Sequence, residues 1–419
     1  MDKLIITGSS RLRGEVNISG AKNSSLPIIA ACILSSDKSI IENVPMLEDV
    51  FALGQILQSI NAGVKIDNNN NSVFVDTSNI INMEPSYDVV RKMRASFLIM
   101  GPMLARFGEF KISLPGGCNI GTRPIDLHLK GFNALGAKIN TDHGYVEVRA
   151  EKLKGNKIYL DFPSVGATEN IMMAAVLAEG ETVIENAAAE PEIVDLSKFL
   201  NKMGAQVIGA GTDNIKIIGV KELHGANHKL IYDRIEAGTF MTAAAITRSR
   251  IKINGINDEH LKPVIAKLQE AGVSINILDN SMIIDGNCDL RPVDIKTMPY
   301  PGFPTDMQPQ MMAFFLSLIG TSMITETIFE NRYMHVTEMK RLGGNIRIDG
   351  RCAVIEGGDK LTGTIVKATD LRAGAAMVLC GLIAEGETII TDIYHIDRGY
   401  EHIEEKFKNL GVDIRRASF

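Results

Sequence analysis

Six stretches of the chain are apolar on every side: Leu26 to Leu34, Phe97 to Phe107, Ile171 to Ala178, Phe240 to Ile246, Met311 to Ile319 and Ala375 to Ala384. A helix with no polar face is buried rather than laid on a surface, so these stretches predict six interior helices. A second kind of helix is two-faced. Val50, Leu53, Leu57 and Ile60 follow one another at steps of 3, 4 and 3, the spacing of a single helical face. A short phrase, apolar-glycine-small and then a strand, also recurs six times, as Ala62-Gly63-Val64, Leu135-Gly136-Ala137, Met203-Gly204-Ala205, Ala271-Gly272-Val273, Leu342-Gly343-Gly344 and Leu410-Gly411-Val412. Successive glycines lie 68 to 73 residues apart. Each is expected to end a helix in the left-handed conformation. Polar turns such as Asp67 to Asn71 and Asp142-His143-Gly144 then fit hairpins.

The pattern is six copies of one unit, each with a buried helix, a half-exposed helix and several strands. The sixth copy stops at Val412 to Arg416, where its return strand is due. Leu4-Ile5-Ile6-Thr7-Gly8, followed by Leu12-Arg13-Gly14, resembles Ala353-Val354-Ile355-Glu356-Gly357, followed by Leu361-Thr362-Gly363. The N-terminal strands are therefore expected to complete the last copy. Six units divide most simply into an α/β domain of residues 22–229 and a discontinuous one of residues 1–21 with 230–419. Crossings near Gly20 and Lys229 would serve as a hinge, and interdomain clefts favour ligand sites.

Composition narrows the function. The 419 residues carry 44 basic and 50 acidic side chains, a net charge of −6, which argues against broad nucleic-acid binding. No apolar run approaches the roughly 18–20 residues that span a bilayer. The N-terminal Met1-Asp2-Lys3-Leu4 has no signal-peptide layout. Five cysteines, at 32, 118, 288, 352 and 380, form no CxxC pair, and the histidines form no HExxH, so no metal site is expected. These features point to a reduced, cytoplasmic, membrane-free protein. No phosphate-binding P-loop occurs, and Gly209-Ala210-Gly211 meets Asn214 where a dinucleotide fingerprint needs glycine.

Polar residues gather where the buried helices begin: Lys22-Asn23-Ser24, Arg94-Ala95-Ser96, Ser164-Val165-Gly166-Ala167-Thr168, Thr305-Asp306 and Asp370-Leu371-Arg372. Singly, the serines, threonines, asparagines and aspartates read as caps. Capping does not explain Lys22, Arg94 and Arg372 at the end of a helix that disfavours cations. They imply a carboxylate or phosphate guest. Pro115-Gly116-Gly117-Cys118-Asn119-Ile120-Gly121-Thr122-Arg123 is a glycine-flanked loop, with His128 shortly after. Arg123 and His128 are placed to lower a thiol pKa and make Cys118 an acid or nucleophile; the alternative is a small buried cysteine. Asp306 is either a cap or a general base. Arg332 and Arg398 sit in dense polar phrases that, taken alone, read as surface ion clusters.

These phrases, together with Gly20-Ala21-Lys22-Asn23, Phe303-Pro304-Thr305-Asp306, Glu330-Asn331-Arg332, Thr369-Asp370-Leu371-Arg372 and Tyr394 to Tyr400, closely resemble the UDP-N-acetylglucosamine 1-carboxyvinyltransferases, the enolpyruvyl transferases that begin bacterial peptidoglycan synthesis. The resemblance spans nearly the whole chain. It implies two inside-out α/β barrel domains of three repeats each, with phosphoenolpyruvate and UDP-N-acetylglucosamine as substrates, no cofactor, no metal and a monomer. Lys22, Arg123, Arg372 and Arg398 match the residues that hold phosphoenolpyruvate. Asn23, Arg94, Arg123, Pro124, Ile125, Asp126, Leu127, Ser164, Val165, Asp306 and Ile328 match contacts to the UDP-sugar or its reacting hydroxyl, and Arg332 matches a cleft arginine. Cys118 matches the proton donor that fosfomycin alkylates. Catalysis would rest on Cys118, Asp306, Lys22 and Arg398. One departure stands out: some members carry lysine where this chain has Phe162, followed by Pro163. The rival readings are a shikimate-pathway synthase of the same fold, an RNA 3′-phosphate cyclase, which would need a basic face, and a ring-forming clamp, which would need neither the Cys118 loop nor arginines at helix starts.

Overall fold

The computed structural model describes residues 2–8, 11–81, 83–90, 94–114 and 125–418. Within them the chain divides into two compact units. One contains the residues up to Ser19 and those from Tyr232 onward, and the other runs from Gly20 to Ile231.

In the discontinuous unit the helices Arg234–Ile246, Gln308–Leu316 and Leu371–Ile383 pack on one another and are buried along almost their whole length. Three four-stranded sheets carry their apolar faces against these helices. In the continuous unit the buried helices are Lys22–Ala31, Met100–Phe107 and Val165–Ala175, again with three sheets. Helices inside and sheets outside reverse the usual α/β layering, and the reason lies in the residues. These helices have no polar face to show to water, whereas the strands alternate. In Asp2–Thr7, Leu4 and Ile6 point inward and are fully buried, while their neighbours are not. The two-faced helices, such as Glu48–Ser59 with Val50, Leu53 and Leu57 buried, close the outside of each repeat.

The repeats interlock through their strands. Asp2–Thr7 lies between Glu387–Thr391 and Ile414–Ser418, antiparallel to both. It occupies the place that Cys352–Gly357 holds in the preceding sheet, between Gly320–Thr325 and Asn345–Asp349. The N-terminus thus completes the sixth repeat, as the sequence likeness of the two segments predicts. Glu15–Asn17 similarly adds a parallel edge to Arg250–Asn254. Asn227–Lys229 does the same for Lys38–Glu42, so each unit is closed by chain from its far end.

Two local expectations need correction. Gly136, Gly204, Gly272, Gly343 and Gly411 have φ between 92° and 103° and end their helices as expected. In the first repeat, however, Asn61 (φ 72°) takes that position and Gly63 already begins the strand Gly63–Asp67. Asparagine is one of the few other residues that tolerates the left-handed region. Four of the buried helices, Lys22–Ala31, Val165–Ala175, Gln308–Leu316 and Leu371–Ile383, also begin and end earlier than their apolar runs. The fifth stops at Leu316, which leaves Ile319 86% exposed.

Some ionisable groups lie inside the units. Burial pushes His335 down to about 4, Asp370 pulls it back up, and Arg332 adds to the depression. Burial raises Glu169 well above the usual carboxylate range, and Glu192 and Glu190 add to the rise. A histidine whose folded pKa is depressed contributes stability that is complete above its ordinary value near 6.5 and is lost as pH falls through about 4. Urea stability should therefore decline across that window, and His335→Gln should flatten the decline; an unchanged pH profile in the variant would contradict the assignment. Ile6→Ala should cost about 2–5 kcal/mol. In urea melts the loss should appear in the unit built mainly from residues beyond Tyr232.

Candidate active site

In the discontinuous unit the polar residues converge on Asp306. It lies in the single turn Thr305–Met307 that leads into the helix Gln308–Leu316. Its carboxylate is turned to two arginines. Oδ1 accepts from Arg332 Nη2 at 3.1 Å, and Oδ2 accepts from Arg372 Nε at 3.2 Å and Nη2 at 3.1 Å. The carboxylate thus faces the two arginines, and no side chain caps this turn. Arg332 and Arg372 are 2% and 1% exposed, whereas the Asp306 side chain keeps 27%. Arg332 is therefore buried, and the reading of its phrase as a surface ion cluster is wrong for this residue.

Arg372 lies in the first turn of Leu371–Ile383, where the helix dipole opposes a cation. Asp370 offsets this by capping the helix, accepting from Arg372 N at 2.9 Å and Ala373 N at 3.0 Å. Burial works against the guanidinium charge, but Asp306, then Tyr400 and Asp233, outweigh it and hold Arg372 above its ordinary value. Three of the arginine nitrogens, Nε and Nη1 of Arg332 and Nη1 of Arg372, are buried with no hydrogen-bond partner among the described residues. Unsatisfied buried donors cost about 1–3 kcal/mol each, more when charged. The arrangement is built to receive acceptor oxygens.

Two supports behind this group escape a sequence reading. Thr239 Oγ1 donates to Ile235 O at 2.8 Å, so it accepts from Tyr400 Oη at 2.9 Å; Gln310 Nε2 in turn donates to Tyr400 at 3.2 Å. The Tyr400 ring lies 5.4 Å from the Arg372 guanidinium carbon. Glu326, almost fully buried, accepts from Thr305 Oγ1, Thr297 Oγ1 and the Ile328 amide, each at 2.8 Å. It thereby fixes the residue before Asp306 and the backbone of Ile328 together. Arg398 is half-buried; after burial itself, its charge keeps His395 below the ordinary histidine range. Neighbouring Asp397 belongs to an ion cluster with Arg416, at 2.6 Å.

In the continuous unit Lys22 opens the helix Lys22–Ala31, with its Nζ 2.8 Å from Asp49 Oδ2 and both side chains buried. Asn23 is exposed beside it. Ser24 donates to Asp195, which also holds His228 Nε2 at 2.9 Å and the Ile231 amide at 3.3 Å. Ser164 caps Val165–Ala175 through a long contact to Ala167 N, 3.4 Å; Ser164 and Val165 are half-buried. Arg94 begins the turn Arg94–Ile99, ahead of the helix Met100–Phe107. Ile125 precedes the helix Asp126–Ala134, with Asp126 exposed and Leu127 half-buried. Cys118, Arg123 and Pro124 lie outside the described residues, as does the side chain of Arg94. Phe162 is exposed and brings no charge. Cys32 and Cys380 are buried and unreactive in character, their thiols pushed up to about 12 by burial. Among the described residues no group of histidine, cysteine and carboxylate side chains could hold a metal, and no helix is long and apolar enough to cross a membrane.

Comparison with known proteins shows the family of the chain. Residues 6–407 match the model of the EPSP synthase (3-phosphoshikimate 1-carboxyvinyltransferase) family. The chain is 70% identical over 416 residues to UDP-N-acetylglucosamine 1-carboxyvinyltransferase 2 of Clostridium tetani, covering 99% of this chain and 100% of that one. It is 63% identical to UDP-N-acetylglucosamine 1-carboxyvinyltransferase 1 of Clostridium acetobutylicum, covering 100% of both. Among solved structures, the enolpyruvyl transferase NikO from Streptomyces tendae superposes with a TM-score of 0.91 at 26% identity, covering 100% of this chain and 99% of that one. EPSP synthase from Acinetobacter baumannii gives 0.77 at 18% identity over both full chains, a likeness of fold alone. The chain belongs to the EPSP synthase family of enolpyruvyl transferases, and within it to the UDP-N-acetylglucosamine 1-carboxyvinyltransferases.

Proposed function

We propose that this protein transfers the enolpyruvyl group of phosphoenolpyruvate to the 3-hydroxyl of UDP-N-acetylglucosamine, releasing phosphate, as the first committed step of peptidoglycan synthesis. It acts in the cytoplasm as a monomer and needs no cofactor. The observation that carries the reading is the Asp306 carboxylate held between two buried arginines that keep unpartnered N–H groups. Two guanidiniums against one carboxylate leave a positive site with a carboxylate still part-exposed. Such a site suits an anionic substrate and a proton acceptor at one place.

The chemistry assigns roles as follows. The Cys118 thiol protonates the methylene carbon of phosphoenolpyruvate, which makes the adjacent carbon electrophilic. The sugar 3-hydroxyl adds there, forming a C–O bond and losing its proton to a base. The tetrahedral adduct then expels phosphate as the new methyl group gives up a proton, restoring the double bond in the enol ether. Asp306 is the base, toward the hydroxyl or toward that last proton. Lys22, Arg123, Arg372 and Arg398 neutralise the phosphate and carboxylate of phosphoenolpyruvate, and Arg332 shares the Asp306 carboxylate with Arg372. Asn23, Arg94, Arg123, Pro124, Ile125, Asp126, Leu127, Ser164, Val165 and Ile328 bind the UDP-sugar. The Lys22 ammonium is kept in place by Asp49, so it meets the substrate preoriented.

Inorganic phosphate should appear only when both substrates are present, with UDP-N-acetylglucosamine enolpyruvate visible by mass spectrometry. Release that instead needs 3-phosphoshikimate would move the chain to the other branch of the family. Cys118→Ala and Asp306→Asn should each lower kcat by about 10²–10⁴, while Cys118→Asp keeps measurable turnover because a carboxylic acid also donates a proton. Full turnover by Cys118→Ala at neutral pH would show that the acid is wrongly assigned.

A further inference from the structure

We infer that Arg416 is a positioning residue for Arg398, whose direction it sets by holding Asp397 and Glu404 in one planar fork; the inference rests on the role proposed above for Arg398 at phosphoenolpyruvate. Arg416 lies on the edge strand Ile414–Ser418. It stands opposite Leu4, as Ile414 stands opposite Ile6, and opposed residues share a face of the sheet. That face is the inner one, since Leu4 and Ile6 are fully buried. The alternation of the strand thus calls for an apolar residue at 416, and the sequence supplies an arginine. An inward charge on an edge strand also guards against pairing with another chain. Guarding accounts for a charge there, but not for what this guanidinium holds. Nη1 and Nη2 donate to Asp397 Oδ2 and Oδ1 at 2.9 and 2.6 Å. Nε and Nη2 donate to Glu404 Oε1 and Oε2 at 2.7 and 3.3 Å, and Asp2 Oδ2 lies 3.9 Å from Nη1. Two edges of the guanidinium are therefore each filled by a carboxylate, a geometry that arginine satisfies and lysine does not. Hydrogen bonding to Asp397 carries Arg416 above its ordinary value against the cost of burial, and Glu404 adds to the rise.

Asp397 and Glu404 bracket the segment that carries Arg398. Tyr394–Asp397 is a single helical turn, and Arg398 continues it with φ −75° and ψ −15°. So short a helix has no stiffness of its own and takes its orientation from outside contacts. Successive helical side chains diverge by about 100°. Fixing both oxygens of Asp397 therefore fixes the rotation of the turn, and with it the direction in which Arg398 leaves the backbone. Beyond Arg398 the chain has little room. A Cβ on Gly399 would run into the Leu371 side chain, and Tyr400 is tied to Thr239 and Gln310. His402, in the left-handed conformation at φ 45°, then turns the chain into the helix Ile403–Asn409, which returns Glu404 to the same guanidinium. Gly399 and Tyr400 set how close the segment lies to the helix of Arg372; Arg416 sets how the segment is rotated.

The test uses the full chain and separates positioning from a charge effect and from a structural one. Arg416→Lys keeps the charge but loses the fork. It should raise KM for phosphoenolpyruvate about five- to tenfold, with KM for UDP-N-acetylglucosamine within about threefold. Asp397→Asn keeps the shape and removes a negative charge beside an anion-binding arginine. Acting through charge alone it would tighten phosphoenolpyruvate binding; through loss of the fork it should raise that KM by a similar factor. In an Arg398→Ala background, Arg416→Lys should change the calorimetric Kd for phosphoenolpyruvate by less than about twofold, because the residue through which it acts is gone. A wild-type KM in Arg416→Lys, a lowered KM in Asp397→Asn, equal rises for both substrates, or full additivity with Arg398→Ala each overturn the inference. Asp397→Asn, nearly isosteric, decides the matter if Arg416→Lys does not fold. If Arg398→Ala leaves phosphoenolpyruvate binding unchanged, the proposed role of Arg398 goes and this inference with it. If Arg398→Ala weakens binding while Arg416→Lys and Asp397→Asn do not, the proposed function stands and the positioning role alone is refuted.

Discussion

A helix buried on all sides can reach solvent only at its ends. That constraint organises both units. The six interior helices satisfy their own backbone along their length, but the first amide groups of each have no partner within the helix. Asp233, Ser164 and Asp370 meet that need directly as caps. At Lys22 and at the turn holding Asp306 no side chain caps the helix, and the polar groups there are turned to other partners. The apolar character of the helices and the clustering of reactive groups at their starts are thus two aspects of one arrangement. The sheets outside shield the helices from water and leave the helix starts as the places where charge collects.

Charge at these places is arranged so that removing one member strands the others. Asp306 neutralises part of the charge of two guanidiniums that water scarcely reaches. Asp370 offsets the dipole that would otherwise repel Arg372. Tyr400, Thr239 and Gln310 form a chain with a determined donor direction behind the same arginine. Each group is held by neighbours that are themselves held, which is the condition for a preorganised site. In the other unit Lys22 with Asp49 follows the same rule on a smaller scale.

The fold was largely legible because its signals are local and repeated. Apolar runs mark the six helices, and the likeness of Leu4 to Gly8 to Ala353 to Gly357 marks the strand that closes the sixth repeat. What is not local was lost. Whether Asp306 caps a helix or faces arginines depends on partners 26 and 66 residues away. Arg332 reads as a surface residue because its phrase is polar, yet the fold buries it. Asn61 replaces glycine at a helix end, so a search keyed to glycine slips by two residues there. Glu326 and Gln310 carry no motif at all. Each is an uncharged or single polar residue in an apolar stretch or beside a strand, and its importance appears only once its partners are known. The loop with Cys118 is the reverse case: its sequence is distinctive, and it lies outside the described residues.

The strand Asp2–Thr7 has a further consequence for synthesis. It is made before the unit from Gly20 to Ile231, yet both of its partners are made after that unit. The unit from Gly20 to Ile231 can fold while the chain is still growing. The strand before it must wait roughly tens of seconds at ordinary elongation rates, with both edges open and Leu4 and Ile6 bare. The polar flanks of that segment, and Arg415 and Arg416 within the partner strand Ile414–Ser418, are where selection against premature pairing would act. The discontinuous unit can close only once Glu387–Thr391 and Ile414–Ser418 are made, and a message cut short before them leaves Asp2–Thr7 an unpaired strand.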